Sequence, residues 1–159
     1  NDEYNISELA DLDITIDIVG SGSLEKKLTK LSQQEGTKVN FLGSMPHPEL
    51  VNLYQEYHYY ISSSLYEGNP KSTLEAIANG CIVICSNIPN NKEIIQNNIN
   101  GFLYTDEENA LKKTLNKVMS KNKDFSNFRK SSVRSIKDIY GFDELLNKEI
   151  QDYFQLTNT

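Results

Sequence analysis

The sequence predicts an α/β fold in which a parallel β-sheet carries helices on both of its faces. Short β-branched runs alternate along the chain with segments in which apolar residues recur at helical spacing. Glycines separate several of these segments, and neither an internal repeat nor a low-complexity linker interrupts them. Strands that alternate with helices at this spacing pair in parallel and become covered on both sides. A length of 159 residues suits one domain with one core.

The first part of the chain is predicted to run strand, helix, strand. Residues 14–19 (ITIDIV) form a β-branched run that stops at Gly20 and is typical of a strand. In residues 23–35, leucines recur every three or four positions, which predicts a helix that stops at Gly36. A second short strand is expected at residues 38–42.

The middle of the chain repeats this alternation. Residues 48–57 place leucine and tyrosine side chains on one face of a predicted helix, and residues 59–62 (YYIS) form a third strand. The next helix is expected over residues 70–79, closed by Gly80, and residues 82–85 (IVIC) form a fourth strand.

The last part of the chain adds one strand and is otherwise helical. A short helix is expected at residues 91–97 and a last strand at residues 101–104. Two or three helices are then expected, at about residues 107–121, 124–139 and 142–154.

Composition excludes some classes of function. The chain has 16 Lys and Arg against 22 Asp and Glu, a net charge of −6, which argues against nucleic acid as a partner. No apolar run is long enough to predict a membrane span, and no segment is typical of a signal peptide. Cys81 and Cys85 flank a short apolar run and are expected to be small buried hydrophobes rather than metal ligands. This cysteine usage fits the reducing cytoplasm best.

Ligands of such sheets bind beyond the carboxyl ends of the strands. The loops expected there cover residues 20–23, 43–47, 63–69 and 86–92. The first begins with Gly20-Ser21-Gly22, but a dinucleotide fingerprint would need a third glycine where this chain has Glu25. The turn is therefore interpreted as a tight strand-to-helix connection capped by Ser23, open enough to line a nucleotide site.

The segment SSSLYEGNPKSTLEA holds the most informative helix start. Asn69 is predicted to be the N-cap and Pro70 the first helical residue. The backbone N–H groups of Lys71 to Thr73 would then be free to bind an anion such as pyrophosphate, with the Lys71 ammonium beside them.

Two glutamates eight positions apart frame this helix start. Glu67 lies in the preceding loop, and Glu75 lies beside the apolar stripe of the helix. A partly buried carboxylate in this position needs partners. Vicinal ribose hydroxyls would provide them, and so would an i,i+4 ion pair with Lys71. The residues alone leave both interpretations open.

The same segment resembles the E-x7-E region of glycosyltransferase family 4, the group 1 retaining enzymes. The flanking runs match that family in order: DIVGSGSL and VNFLGSMPHPEL upstream, and EIIQNNINGFLY downstream. The resemblance covers about residues 14 to 140. It implies a Rossmann-like C-terminal half of a GT-B fold, so that residues 1–159 are a single nucleotide-sugar-binding domain. Residues 1–12 would be the remnant of a truncated first strand–helix unit, and about 142–159 a C-terminal helix.

The resemblance also implies roles for individual residues. Glu75 would hold the ribose hydroxyls of the donor, and Glu67 would contact the transferred sugar and be required for transfer. The remaining residues expected to bind the donor are Gly68, Asn69, Pro70, Lys71, Ser72 and Thr73 at the pyrophosphate, Ser44 and Met45 at the nucleobase, and Gly20, Ser21 and Gly22 at the border of the site.

The implied activity is transfer of a hexose-type sugar from a UDP- or GDP-sugar to a hydroxyl, in surface polysaccharide or lipopolysaccharide synthesis. No cofactor and no metal are expected. The acceptor-binding N-terminal domain and the family's Arg/Lys pair have no counterpart here, so the isolated chain is expected to be inactive. No transmembrane segment is expected in this chain, and the full-length enzyme is expected to be able to bind a membrane peripherally. The alternatives are a GT-B-type sugar-nucleotide epimerase and a non-catalytic nucleotide-binding module.

Some further polar residues are assigned no role in the site. Asp11 and Asp13 form a D-x-D pattern, which is interpreted as the solvated start of a strand rather than a metal site. His47 and His58 are isolated histidines without a nucleophile beside them and are interpreted as structural. Asn69 stands where the family usually has an aromatic residue, which leaves the sugar open.

Overall fold

The computed structural model describes residues 7–120 and 125–140. A 3-10 turn, Ser7–Leu9, precedes the first strand. The strands are β1 Thr15–Val19, β2 Lys38–Gly43, β3 Tyr59–Ser62, β4 Ile82–Ser86 and β5 Phe102–Tyr104. The helices are α1 Glu25–Glu35, α2 His47–Glu56, α3 Lys71–Ala78, α4 Pro89–Ile94, α5 Ala110–Ser120 and α6 Ser126–Tyr140.

All strand pairs in this part of the chain are parallel, as expected from the alternation of strands and helices. Strand β1 pairs with β2, and strands β3, β4 and β5 pair in that order. The single sheet that the sequence predicts is nevertheless divided into two. Within the described residues, no strand pairs with the edge of β1 that faces β3, or with the edge of β3 that faces β1. A cavity of about 670 Å³ occupies this position.

Helices cover both faces, and each face has its own apolar core. On one face, Ile82 and Ile84 of β4 pack with Leu111, Leu115 and Val118 of α5. On the other, the alternating residues Val83 and Cys85 pack with the α3 face and with Tyr54 of α2. Strand β4 is fully buried, as a central parallel strand must be when helices cover both of its sides.

The elements predicted within the described residues are confirmed, with ends that move by up to three residues, and two predicted caps are wrong. The N-cap of α1 is Leu24 rather than Ser23, and that of α3 is Pro70 rather than Asn69, in both cases without a side-chain cap. Polar side chains were expected to satisfy the first amides of these helices. In α3, backbone carbonyls of the preceding residues accept from two of those amides instead.

The segment predicted as the remnant of a truncated unit packs against the domain from residue 7 onward. Leu9 is buried in the first core, and the Glu8 carboxylate accepts hydrogen bonds from the Leu111 and Lys112 amides at 3.0 and 3.4 Å. Glu8 therefore caps the start of α5. The helix predicted at 142–154, and residues 1–6 of the predicted remnant, lie outside the described residues. Among residues 7–120 and 125–140, no helix has the length and apolar character that crossing a membrane requires.

Candidate functional site

Two glycine turns meet at the carboxyl ends of β1 and β2. Gly20 has φ 126° and Gly43 has φ 69°, values that side-chain-bearing residues rarely adopt. The Gly20 amide donates to the Gly43 carbonyl at 2.8 Å, and the Ser21 and Ser44 hydroxyls hydrogen-bond at 2.9 Å. The structure thus brings together the first two predicted donor-binding segments. Small side chains leave their backbone open to a flat ligand.

The loop after β2 also reaches helix α3. His47 Nε2 lies 3.0 Å from Glu75 Oε1 and donates to that carboxylate. The Glu75 side chain is 15% exposed, whereas that of His47 is 59% exposed. The sequence interpretation of His47 as structural did not include this contact with Glu75. A histidine 28 positions away gives no local sign of such a contact, because only the fold joins the two loops.

The start of α3 differs from the predicted anion site. The Lys71 amide donates to the Asn69 carbonyl at 2.8 Å, and the Thr73 amide donates to the Pro70 carbonyl at 3.1 Å. The sequence predicted that these two N–H groups would be free, but both are hydrogen-bonded to backbone carbonyls. Thr73 is 1% exposed, and its hydroxyl lies 3.9 Å from the Cys85 sulfur. Its side chain faces the core, away from any ligand.

Ser72 is the residue of this turn that remains turned outward. Its side chain is exposed, and its Oγ accepts a hydrogen bond from the Tyr60 hydroxyl at 2.8 Å. Burial raises the pKa of Tyr60, so this phenol stays protonated and remains a donor. Lys71 is exposed on the same turn. The side chains of Ser72 and Lys71 therefore both lie at the surface of this helix start.

A ladder of hydrogen bonds holds the loop that carries Glu67. The Ser64 hydroxyl donates to the Glu67 carboxylate at 2.6 Å. The Ser64 carbonyl in turn accepts from Ser86 Oγ at 2.5 Å, and the buried Asn91 amide donates to the Ser86 carbonyl at 2.9 Å. The end of β4 and the start of α4 thereby position Glu67.

The rest of this loop is less enclosed. Asn90 donates to the Gly68 carbonyl at 3.0 Å, so α4 contacts the loop at a second point. Leu65 is 72% exposed and Tyr66 84% exposed. Gly68 and Asn69 are exposed as well, whereas Pro70 is buried. Met45, in the loop after β2, is half-buried.

The D-x-D residues lie at the other end of the sheet, before the amino end of β1. Asp11 pairs with Lys112 at 2.6 Å and Asp13 with Lys38 at 2.9 Å. The hydrogen bond and the charge of each lysine lower the pKa of its aspartate. In residues 7–120 and 125–140, no three His, Cys, Asp or Glu side chains gather in a group that could bind a metal ion.

Both cysteines are buried and unpaired, as predicted from their spacing. Burial raises the pKa of Cys81 to about 11 and that of Cys85 to about 12. These values keep both thiols protonated near neutral pH, so neither is a nucleophile there.

Comparison with known proteins identifies relatives of this chain. The family described as "Glycosyl transferases group 1" matches residues 5–134. The GtfA subunit of the UDP-N-acetylglucosamine–peptide N-acetylglucosaminyltransferase of Streptococcus agalactiae is 33% identical over 96 residues, which is 60% of this chain and 19% of that protein. This chain therefore spans about a fifth of the length of that relative.

Two solved structures show the same fold at low sequence identity. Sucrose-phosphate synthase from Thermosynechococcus elongatus has a TM-score of 0.79 at 20% identity, over 98% of this chain and 42% of that one. Anabaena HepE in complex with UDP and glucose has a TM-score of 0.78 at 17% identity, over 96% of this chain and 45% of that one. These likenesses confirm the α/β fold class and a GT-B architecture.

Proposed function

The chain belongs to the group 1 glycosyl transferases, and we propose that it is the C-terminal, donor-binding domain of a retaining enzyme of glycosyltransferase family 4. The enzyme moves a hexose-type sugar from a UDP- or GDP-sugar to a hydroxyl acceptor. The observation that carries this proposal is the convergence of three loops and one helix at a single edge of the sheets. The Ser21–Ser44, His47–Glu75 and Ser64–Glu67 hydrogen bonds hold that edge together.

Glu75 is suited to hold the ribose of the donor. An ionised carboxylate has about four acceptor positions on its two oxygens, and His47 takes one of them. Two vicinal hydroxyls can donate to the remaining positions. His47 is a positioning residue in this proposal, because it fixes the rotamer of Glu75 before the nucleotide arrives.

The nucleobase and the pyrophosphate bind on either side of Glu75. The flat backbone around Gly20–Gly22 and Ser44 faces the base, with Met45 packed beside it. The pyrophosphate lies against the start of α3, where the Ser72 hydroxyl and amide and the Lys71 ammonium are its donors. This anion site is weaker than the sequence indicated, because the Lys71 and Thr73 amides are satisfied by the preceding carbonyls.

Glu67 lies in the loop that leads into α3 and faces the transferred sugar in this proposal. Departure of the nucleoside diphosphate leaves positive charge on the anomeric carbon, and a fixed carboxylate stabilises that charge. The Ser64 hydroxyl and the ladder through Ser86 and Asn91 hold Glu67 in place before the reaction. Such preorganisation avoids the cost of ordering the loop in the transition state.

The wider context follows from the same proposal. UDP-sugars are the first donors to test, since the S. agalactiae relative is a subunit of a UDP-N-acetylglucosamine–peptide transferase and the HepE structure is a complex with UDP and glucose. We propose a role in surface polysaccharide or lipopolysaccharide synthesis, in the cytoplasm, with the acceptor bound by a separate N-terminal domain. Without that domain one wall of the cleft is missing, and we expect no sugar transfer by the 159-residue chain.

The test is calorimetric titration of UDP and GDP into the 159-residue chain, with and without magnesium. We expect one of the two to bind with equal affinity in both buffers, because Asp11 and Asp13 are each paired with a lysine at the opposite edge. Absence of binding by both nucleotides would contradict the proposed donor site. Binding that requires magnesium would contradict a metal-independent site.

A further inference from the structure

The Tyr60 side chain connects the apolar core to the start of α3. It lies on β3 and packs against the cluster that β4, α2 and α3 share. Its ring meets the Tyr54 ring edge-on, with 6.0 Å between the ring centroids and 71° between the ring planes. Beyond the ring, the Tyr60 hydroxyl donates to Ser72 Oγ at 2.8 Å. The packing of the ring therefore fixes the position from which the phenol donates.

This hydrogen bond also closes the loop that carries Glu67. Tyr60 lies before that loop and Ser72 lies after it, 12 positions further along the chain. A contact at the base of a loop holds its two ends together, which is a structural role. A role in binding has to be argued separately, from what the contact does to the Ser72 hydroxyl.

The direction of the hydrogen bond decides what the Ser72 hydroxyl can do. A serine hydroxyl has one proton and two acceptor lone pairs. Tyr60 occupies one lone pair, and burial raises the pKa of Tyr60, so the phenol keeps the proton that it donates. Among residues 7–120 and 125–140, the Ser72 side chain has no other hydrogen-bond partner. Its own proton is therefore available to a ligand at the exposed surface of α3.

A hydroxyl held in this way suits a ligand group that accepts hydrogen bonds and donates none. The oxygens of an ionised pyrophosphate are such a group, and hydrogen bonds to charged groups are stronger than those between neutral groups. The phenol strengthens the effect, because a hydroxyl that accepts one hydrogen bond becomes a better donor in the next. A neutral nucleoside presents no acceptor of this strength.

We propose that Tyr60 is a positioning residue for the pyrophosphate of the donor, and that it acts through the Ser72 hydroxyl. It orients the Ser72 proton toward the ligand before binding, as His47 orients Glu75 toward the ribose. This inference rests on the proposed function, because it requires a nucleoside diphosphate at the start of α3. It adds a residue of the core that raises affinity for the phosphates and not for the nucleoside.

The expected losses differ between the two hydroxyls. A hydroxyl that nothing holds samples about three staggered orientations, so Tyr60→Phe should weaken binding of the nucleoside diphosphate by about threefold. Ser72→Ala removes the donor itself. Loss of a hydrogen bond to a charged group corresponds to a decrease in affinity of about tenfold or more.

The test is titration of UDP and of uridine into the 159-residue chain and its variants, with GDP and guanosine instead if the parent binds GDP. Tyr60→Phe and Ser72→Ala should each weaken binding of the nucleoside diphosphate and leave binding of the nucleoside unchanged. In the double variant, Tyr60→Phe should add nothing to the effect of Ser72→Ala, because it acts through that hydroxyl.

Tyr59 provides a matched control. It precedes Tyr60 on β3, so its side chain faces the other side of the sheet, where it packs against the first core. Tyr59→Phe removes the same oxygen atom from a half-buried tyrosine of the same strand and should change neither affinity. Melting curves of all variants show whether a change in affinity accompanies a change in stability.

Three outcomes would overturn the proposal alone. One is an affinity of Tyr60→Phe for the nucleoside diphosphate equal to that of the parent. Another is an equal loss for nucleoside diphosphate and nucleoside, since the phenol would then only support the loop. The third is full additivity of Tyr60→Phe and Ser72→Ala.

Two further results also give a decision. If Tyr60→Phe does not fold, Ser72→Ala decides, because a Ser72 hydroxyl that contributes nothing to affinity leaves Tyr60 nothing to position. If the parent binds neither UDP nor GDP, the proposed donor site fails and this inference fails with it. Failure of the inference alone is therefore distinguishable, since the parent then still binds a nucleotide.

Discussion

Replacing Glu75 by glutamine tests the proposed ribose contact most directly. The substitution keeps the shape of the side chain but removes its charge and exchanges one acceptor oxygen for an NH₂ donor. Glu75 is 15% exposed and lies on α3 beside the buried Ala76 and Ile77, so the new side chain stays in the same place. We expect the variant to fold normally and to bind UDP or GDP more weakly.

The expected loss follows from the number of hydrogen bonds to the carboxylate. Hydrogen bonds to charged groups contribute about 1.5–3 kcal/mol each, and the proposed ribose contact has two of them. The glutamine carbonyl still accepts one uncharged hydrogen bond, so part of this free energy is retained. A loss of at least about 1.4 kcal/mol, or about tenfold in Kd, is therefore the minimum expectation.

His47 allows a control for the mechanism. If His47 positions Glu75, His47→Ala should weaken nucleotide binding by less than Glu75→Gln does. In the double variant it should add almost nothing, because its partner has already been altered. Two independent contributions that add in full would mean that His47 contacts the nucleotide itself and does not act through Glu75.

The assay is isothermal titration calorimetry of UDP and GDP against the parent and the three variants, with melting curves beside it. A side-chain hydrogen bond contributes about 0.5–1.5 kcal/mol, so the melting temperature should fall by no more than about 6 °C. Equal nucleotide affinity of Glu75→Gln and the parent would refute the ribose contact. Glu75 would then be a surface partner of His47 only.

Two further predictions concern Glu67 and the buried thiols. Glu67→Gln should change the Kd for UDP or GDP less than about twofold, because the proposed partner of Glu67 is the sugar and not the nucleotide. The same substitution should abolish sugar transfer by the full-length enzyme. A variant that still transfers sugar at the parent rate would exclude this role. Burial raises the pKa of Cys81 to about 11 and that of Cys85 to about 12, from an ordinary thiol value of 9.0, so above pH 9 the unfolded chain loses protons that the folded chain keeps. The free energy of unfolding should therefore fall as pH rises from 9 toward 11. Urea titrations at pH 8 and 10.5 measure this fall, and it should be smaller in Cys85→Val. An equal fall in the variant and the parent would mean that Cys85 does not contribute to the pH dependence of stability.

The sequence predicts the succession of elements well, because local signals produce it. The β-branched runs, the leucine spacing in α1 and the glycines at 36 and 80 are properties of a few neighbouring residues. The helix caps are predicted less well. Propensity favours Asn69 as an N-cap, but the chain at Pro70 follows a path in which backbone carbonyls accept from the first amides of α3.

The sequence predicts some features of the candidate site and not others, as it does for the fold. The chain positions of Glu67, Glu75 and the Gly20–Gly22 turn follow from motifs in the sequence. Their partners do not, because each important contact joins residues far apart in the chain. Ser21 and Ser44 are 23 positions apart, His47 and Glu75 are 28 apart, and Ser86 and Ser64 are 22 apart.

By itself, the sequence determined the fold class, the family resemblance and the glutamates at the start of α3. These depend on hydrophobic periodicity and on short motifs, which are local in the chain. Only the tertiary structure decided that His47 holds Glu75, that Thr73 faces the core and that the sheet is divided between β1 and β3. Strand pairing and contacts between loops depend on which distant segments meet, and periodicity carries no information about that.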